Sequence, residues 1–111
     1  MELNKYTELA VIPSQRYPGQ GESSGLVYTV MAMGGEVGEI QNKVKKLMRG
    51  DRVLDEAGKL DLVKELGDVL WYLTATAQEL GYSLENVAEL NIEKLADRRS
   101  RNVNRGDGDT R

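Results

Sequence analysis

The reading of the fold turns on residues 34–48, GGEVGEIQNKVKKLM, taken with residues 64–73, KELGDVLWYL. In the first stretch Glu36 and Glu39 stand three apart inside an apolar pattern at helical spacing, and in the second Glu65 and Asp68 repeat that arrangement. Residues three apart on a helix are separated by about 60° around the axis and about 4.5 Å along it, so each pair projects from one face. Gly34, Gly35 and Gly38 surround the first pair, and each costs roughly 0.5–1 kcal/mol in a helix relative to alanine. Their presence suggests clearance for a second backbone or a ligand.

Around these stretches the chain reads as helices with short connections. A first short helix is predicted through ELNKYTELA, ending before Pro13. Residues 13–23, PSQRYPGQGES, carry both prolines and two glycines and read as a loop. Ser23 or Ser24 is the expected cap of the next helix. Leu26, Val30, Met33, Val37, Ile40, Val44 and Leu47 predict a helix from Ser24 to about Arg49. After GDRVLDEAG, the stripe Leu62, Leu66, Val69, Leu73, Ala77 and Leu80 predicts a third helix from Lys59 to Leu80, terminated at Gly81. Ser83 is the expected cap of a fourth, Leu84 to about Arg99. The segment 101–111 is a glycine-rich tail without periodicity. The predicted architecture is one all-α domain over residues 1–111, an antiparallel helical hairpin extended to a four-helix-type bundle and completed by oligomerisation.

Composition narrows the chemistry. The 111 residues carry a net charge of -3, 30% charged residues and 5% aromatics with no phenylalanine. That argues against a general nucleic-acid partner, which usually calls for a basic excess. There is no cysteine and no histidine, so thiolate or imidazole metal ligands and a Ser-His-Asp triad are excluded. The start MELNKYTELAVIP is not a signal peptide, and the longest apolar runs fall far short of a membrane span. The expectation is a cytoplasmic protein with no membrane contact.

The two acid pairs sit on matching flanks of their stripes. With Glu36 and Glu65 each set to zero at about 100° per residue, both stripes centre some 60–70° to the same side. Antiparallel packing then brings both pairs to one edge, with a height mismatch of only about 5 Å. Four carboxylates facing one another at one level repel unless a cation joins them. With oxygen donors alone the expected ion is Mg²⁺, with Mn²⁺ as substitute, and such ions commonly take substrate phosphates into their shell. A solvated helix face is the competing reading of any single pair.

Lys43 and Lys46 fall within the angular range of the two glutamates and could hold phosphate oxygens, the alternative being a Glu39–Lys43 surface pair. In the fourth helix Asn91 sits in the middle of the stripe Leu84, Val87, Ala88 and Leu95, where a buried amide is expected and needs partners; with Lys94 and Arg98 on its flank it reads as a polar wall toward phosphate or base, the alternative being an amide satisfied by a backbone group in the core. Tyr72 lies on the stripe of Glu65 and Asp68 and could pack against a nucleobase or sugar, whereas Trp71 faces elsewhere.

GEVGE with the following KVKKLMR, then KELGDVLWYL, SLENVAELNIEKLADR and the GDGDTR ending together resemble the MazG-type nucleoside triphosphate pyrophosphohydrolases of the all-α NTP pyrophosphatase superfamily. The resemblance covers most of the chain from about Met33 onward. It implies Mg-dependent hydrolysis of a (d)NTP to a (d)NMP and pyrophosphate by metal-activated water attack on the α-phosphorus. The family's metal ligands match Glu36, Glu39, Glu65 and Asp68, with Glu36 or Glu39 as base. Its basic residues and the asparagine and lysine of its last helix match Lys43, Lys46, Asn91, Lys94 and Arg98, and Asp109 and Arg111 stand in an ending that can fold over nucleotide. A homodimer or homotetramer is implied, the site often completed by a neighbouring chain. dUTP, an oxidised nucleotide or the alarmone ppGpp are alternative substrates, and a non-enzymatic helical interaction module is the alternative from another class.

Overall fold

The computed structural model describes residues 1–14 and 17–101, and every regular element within them is helical. Helix α1, Leu3–Tyr6, runs on into a π-helical turn, Thr7–Val11, and a 3-10 turn, Ile12–Ser14. Three longer helices follow: α2, Ser23–Met48; α3, Glu56–Glu79; and α4, Leu84–Ser100. The first helical segment thus continues through Pro13 instead of stopping before it. Pro13 lies in the three-residue 3-10 turn, which makes few demands on a proline's missing N–H.

The helix ends show where local chemistry governs. Glu22, not a serine, occupies the N-cap of α2 and makes no side-chain cap bond; Ser23 is already helical. The backbone supplies the closure, with Glu22 N–H donating to Gly19 O at 2.8 Å and Gly25 N–H to Glu22 O at 2.9 Å. Gly25 is buried against this turn, and a Cβ there would stand 2.3 Å from Gly19 O. Helix α3 begins at Glu56, three residues before the expected start at Lys59, because Asp55 caps it by accepting from Gly58 N–H at 2.8 Å. At the other end Gly81 adopts φ 80°, and Tyr82 and Gly81 donate to Ala77 O and Gln78 O, both at 2.9 Å. That is a Schellman closure. Ser83 forms a full capping box with Asn86 at the start of α4.

Helices α2 and α3 pack along each other, with partners in opposite order: Lys43 meets Asp61 and Glu65, while Glu36 lies with Glu65 and Asp68. The well-buried part of the fold lies toward one end of α3. Val11, Thr29, Thr74 and Ala75 are inaccessible, and Ala77 and Leu84 nearly so. Side-chain bonds hold the surrounding segments there. Glu79 accepts from Tyr17 Oη and from Gly21 N–H at 3.0 Å. Trp71 Nε1 donates to Ala10 O at 3.1 Å. Asn4 donates to Glu85 Oε2 at 3.0 Å, joining α1 to the first turn of α4.

Helix α4 rests on α1 and α3, but its middle turns are uncovered, with Val87, Leu90 and Leu95 exposed. Asn91 is exposed with them, so it is not the buried amide expected from the stripe. Among the described residues no helix faces the middle of this stripe to close over it. Among the described residues no helix is long and apolar enough to cross a membrane.

The glycines of GGEVGE meet nothing here: a Cβ at Gly34, Gly35 or Gly38 would have no neighbour within 4 Å. Among the described residues no other helix uses the clearance. Gly35→Ala should therefore raise stability by about 0.5–1 kcal/mol. Gly25→Ala should lower it by about 1–3 kcal/mol through overpacking. Urea denaturation followed by circular dichroism checks both signs.

Candidate metal and nucleotide site

Three acids converge between α2 and α3. Glu36, Glu65 and Asp68 each offer a carboxylate oxygen lying within 4.8 Å of the other two. Glu36 and Glu65 are half-buried and Asp68 is exposed. Glu39 is the departure from the four-acid arrangement expected at one level. It is exposed one turn further along α2 and stands outside the trio. Its charge still reaches the cluster. Burial pushes the Glu36 carboxyl above its usual range, and Asp68, Glu65 and Glu39 add to the rise in that order. A fourth charge left toward solvent lessens the repulsion that full convergence would impose.

A cleft of about 420 Å³ opens beside these acids, lined by Ser14, Glu36, Asp68, Trp71 and Tyr72. Tyr72 lines this cleft with Glu36 and Asp68. Trp71 is a correction, since it lines the same cleft. Neighbouring helical side chains diverge by about 100°, but this cleft spans from α3 to the N-terminal segment and receives both rings. They meet edge to face with centroids 5.0 Å apart, and the indole N–H is fixed by Ala10 O and by Ser14 Oγ at 3.2 Å. Burial raises the Tyr72 hydroxyl, with Tyr28, Glu36 and Asp68 contributing. Burial and then Asp68 raise that of Tyr6. Ser14 and Tyr6 belong to the segment with the weakest sequence signal, and nothing short of the fold places them near Asp68.

The basic residues distribute differently. Lys43 Nζ lies 2.7 Å from Glu65 Oε1 and 2.9 Å from Asp61 Oδ2, tied between two carboxylates of α3 instead of standing as a free phosphate arm. The hydrogen bonds to Glu65 and Asp61 raise the Lys43 ammonium, and the one from Lys43 lowers the Asp61 carboxyl. Asp61 escaped the sequence reading, although its position four before Glu65 puts it on the same flank of α3. Lys46 is half-buried on α2. Asn91 and Lys94 line a separate, mainly apolar groove of about 510 Å³ with Ala77, Leu80, Val87 and Leu90, sharing no lining residue with the acid cleft. Arg98 is buried, at 5% exposure. Asp109 and Arg111 lie outside the described residues.

The acids suit a hard divalent cation. Two oxygens on one Mg²⁺ at about 2.1 Å lie roughly 3.0–4.2 Å apart in octahedral geometry. Separations within 4.8 Å reach that range by small side-chain rotations. The donors are all carboxylate oxygens, the type preferred by Mg²⁺ and Mn²⁺.

In chelator-treated protein the raised Glu36 pKa has a definite sign. Folding favours the protonated form, so this group's contribution to stability is fully present at low pH. It is lost as pH rises through the Glu36 value, which burial and its acidic neighbours place above the ordinary one. Glu36→Gln should raise the melting temperature at neutral pH. The gain over wild type should shrink toward zero as pH falls into the range where Glu36 is protonated. Paired thermal melts across pH read this difference.

Comparison with known proteins accords with this geometry. The MazG nucleotide pyrophosphohydrolase domain matches residues 27–103, a span that holds all four acids. The "Gene 37 protein" of Mycobacterium phage L5 is 42% identical over 94% of this chain and 95% of its own length. No solved structure gives a significant match. With the acids gathered on α2 and α3 and the domain match covering more than half of the sequence around them, the chain belongs to the MazG nucleotide pyrophosphohydrolase family.

Proposed function

We propose that the chain is a divalent-cation-dependent nucleoside triphosphate pyrophosphohydrolase, converting a (d)NTP and water to a (d)NMP and pyrophosphate. The observation that carries this reading is the convergence of Glu36, Glu65 and Asp68 beside a cleft that also presents Trp71 and Tyr72. Acids and aromatic faces in one cleft match the two halves of such a substrate, a polyphosphate and a nucleoside.

Glu36, Glu65 and Asp68 would hold the ions, Mg²⁺ first and Mn²⁺ second. When bound, such ions neutralise phosphate charge and make water a better nucleophile at neutral pH. Glu36 or Glu39 would accept the proton of the attacking water, Glu39 from its exposed position outside the trio. The new bond forms from that water oxygen to the α-phosphorus. The bond from the α-phosphorus to the bridging oxygen breaks, and pyrophosphate carries away the electron pair. Of the two candidate lysines, Lys46 would meet the phosphates, since Lys43 is engaged by Glu65 and Asp61. Trp71 and Tyr72 would flank the base or sugar.

A second copy of the chain completes this picture. The exposed apolar side chains of α4, together with Val27 and Met31 of α2 and Val63 and Leu66 of α3, favour a homodimer or homotetramer. In such an assembly Asn91 and Lys94 would reach a site from a neighbouring chain, and the four-helix-type bundle would close between copies.

Pyrophosphate release from a panel of NTPs and dNTPs, including dUTP, an oxidised nucleotide and ppGpp, should identify the substrate and vanish with chelator. Glu36→Gln and Asp68→Asn should each cut turnover by about a hundredfold or more while leaving far-ultraviolet circular dichroism unchanged. Full activity in both variants would remove these acids from the reaction.

A further inference from the structure

Lys43 occupies an unusual position for a lysine beside a candidate cation site. Its Nζ is shared by two carboxylates one helical turn apart on α3, Glu65 Oε1 at 2.7 Å and Asp61 Oδ2 at 2.9 Å. Asp61 is held in turn by Arg52 Nη1 at 3.2 Å. The four side chains form a line of alternating charge, Arg52, Asp61, Lys43 and Glu65, and the last of them belongs to the acid trio. Exposure falls along this line, from 48% at Arg52 and 40% at Asp61 to 18% at both Lys43 and Glu65. The inner pair is therefore the less screened by solvent.

An ammonium on Glu65 and a divalent cation on Glu65 compete for the same negative charge. A lysine bound to Glu65 alone would oppose metal entry by its full attraction to that carboxylate. Asp61 offers the same ammonium a second seat, within reach of the first by rotation of the lysine's flexible stem. Arg52 keeps that seat oriented from the loop between α2 and α3.

We infer that Asp61 is a positioning residue for the cation site, drawing the Lys43 ammonium away from Glu65 so that both Glu65 oxygens become available to a divalent ion. Lys43 is then a movable counter-ion. It neutralises Glu65 while the acids are without metal and retires to Asp61 when metal enters. This inference rests on the proposed hydrolase reading, which needs metal at Glu36, Glu65 and Asp68, and adds to it the device that sets how tightly metal is held.

The test is direct binding of Mn²⁺ to the full chain, by electron paramagnetic resonance of free Mn²⁺ and by calorimetry without nucleotide. Asp61→Asn should weaken the Mn²⁺ dissociation constant by about tenfold, the scale at which partners of metal ligands act, and Asp61→Glu should restore most of it. Removing the competitor should remove the effect, so Lys43→Gln and Lys43→Gln/Asp61→Asn should bind Mn²⁺ equally well. Wild-type binding together with an unchanged dissociation constant in Asp61→Asn would overturn the inference alone. So would a tenfold loss persisting in the Lys43→Gln background, because Asp61 would then act independently of Lys43. A wild-type chain that takes up no Mn²⁺ would overturn the hydrolase reading and this inference with it.

Discussion

Crowding of negative charge between α2 and α3 is the constraint around which the molecule is organised. Two unit charges 4.8 Å apart, the outer limit among Glu36, Glu65 and Asp68, repel by about 1 kcal/mol in water and about 3.5 kcal/mol at an effective dielectric of 20. A small domain has only about 5–15 kcal/mol of net stability to set against such terms. Three local responses are visible. Glu36 is pushed toward its neutral form. Glu65 takes an ammonium from the opposite helix. Glu39 stays out in solvent. Each moderates the repulsion while keeping the carboxylates in place.

The fold meets this load by separating its tightly packed part from its charged part. Toward the C-terminal end of α3, small side chains let four segments approach closely: Thr74, Ala75 and Ala77 of α3 are buried together with Val11, Thr29 and Leu84. The hydroxyls add little cost, because Thr74 Oγ1 donates to Leu70 O at 2.7 Å and Thr29 Oγ1 to Leu26 O at 3.2 Å within their own helices. The acids lie further back along α3, where glycine and exposed apolar side chains replace dense packing. Gly34, Gly35, Gly38 and Gly67 face open space, so that region of α2 and α3 retains access from outside. A dense core beneath the acids would exclude the water and phosphate oxygens that any bound cation needs to complete its shell.

What could be read from the sequence follows from how far each signal reaches. Helix identity and the ends at Gly81 and Ser83 were legible because they depend on nearby residues: a positive φ, or a hydroxyl three positions from its partner. Convergence of Glu36 with Glu65 and Asp68 was legible because helical periodicity fixes side-chain direction, and two matching offsets leave one edge on which they can meet. Other features depended on spatial neighbours that no periodicity announces. Gly25 fits under Gly19 because of a turn formed by the backbone. Trp71 enters the cleft because Ala10 and Ser14 capture its indole N–H. Asn91 looked buried on its stripe and is exposed because nothing among the described residues covers the middle of α4. Asp61 had the right spacing, but its importance became visible only with Lys43 reaching it from the other helix.

The boundary of the family match divides the cleft along the same lines. Residues 27–103 contain the acids, Lys43, Trp71 and Tyr72, whereas Ser14, which lines the cleft opposite them, and Tyr6, whose hydroxyl responds to Asp68, precede that span. The acid side of the cleft is thus built from elements shared with a family of pyrophosphohydrolases. The facing side is supplied by a segment held to the rest of the fold through Asn4–Glu85 and the indole N–H of Trp71. Chemistry at a phosphorus depends on carboxylates and cations at fixed spacing, and two packed helices provide that rigidity. The N-terminal segment, fastened at a few points, can change its part of the cleft without moving any acid, because the acids stand on α2 and α3 and the fastenings do not touch them.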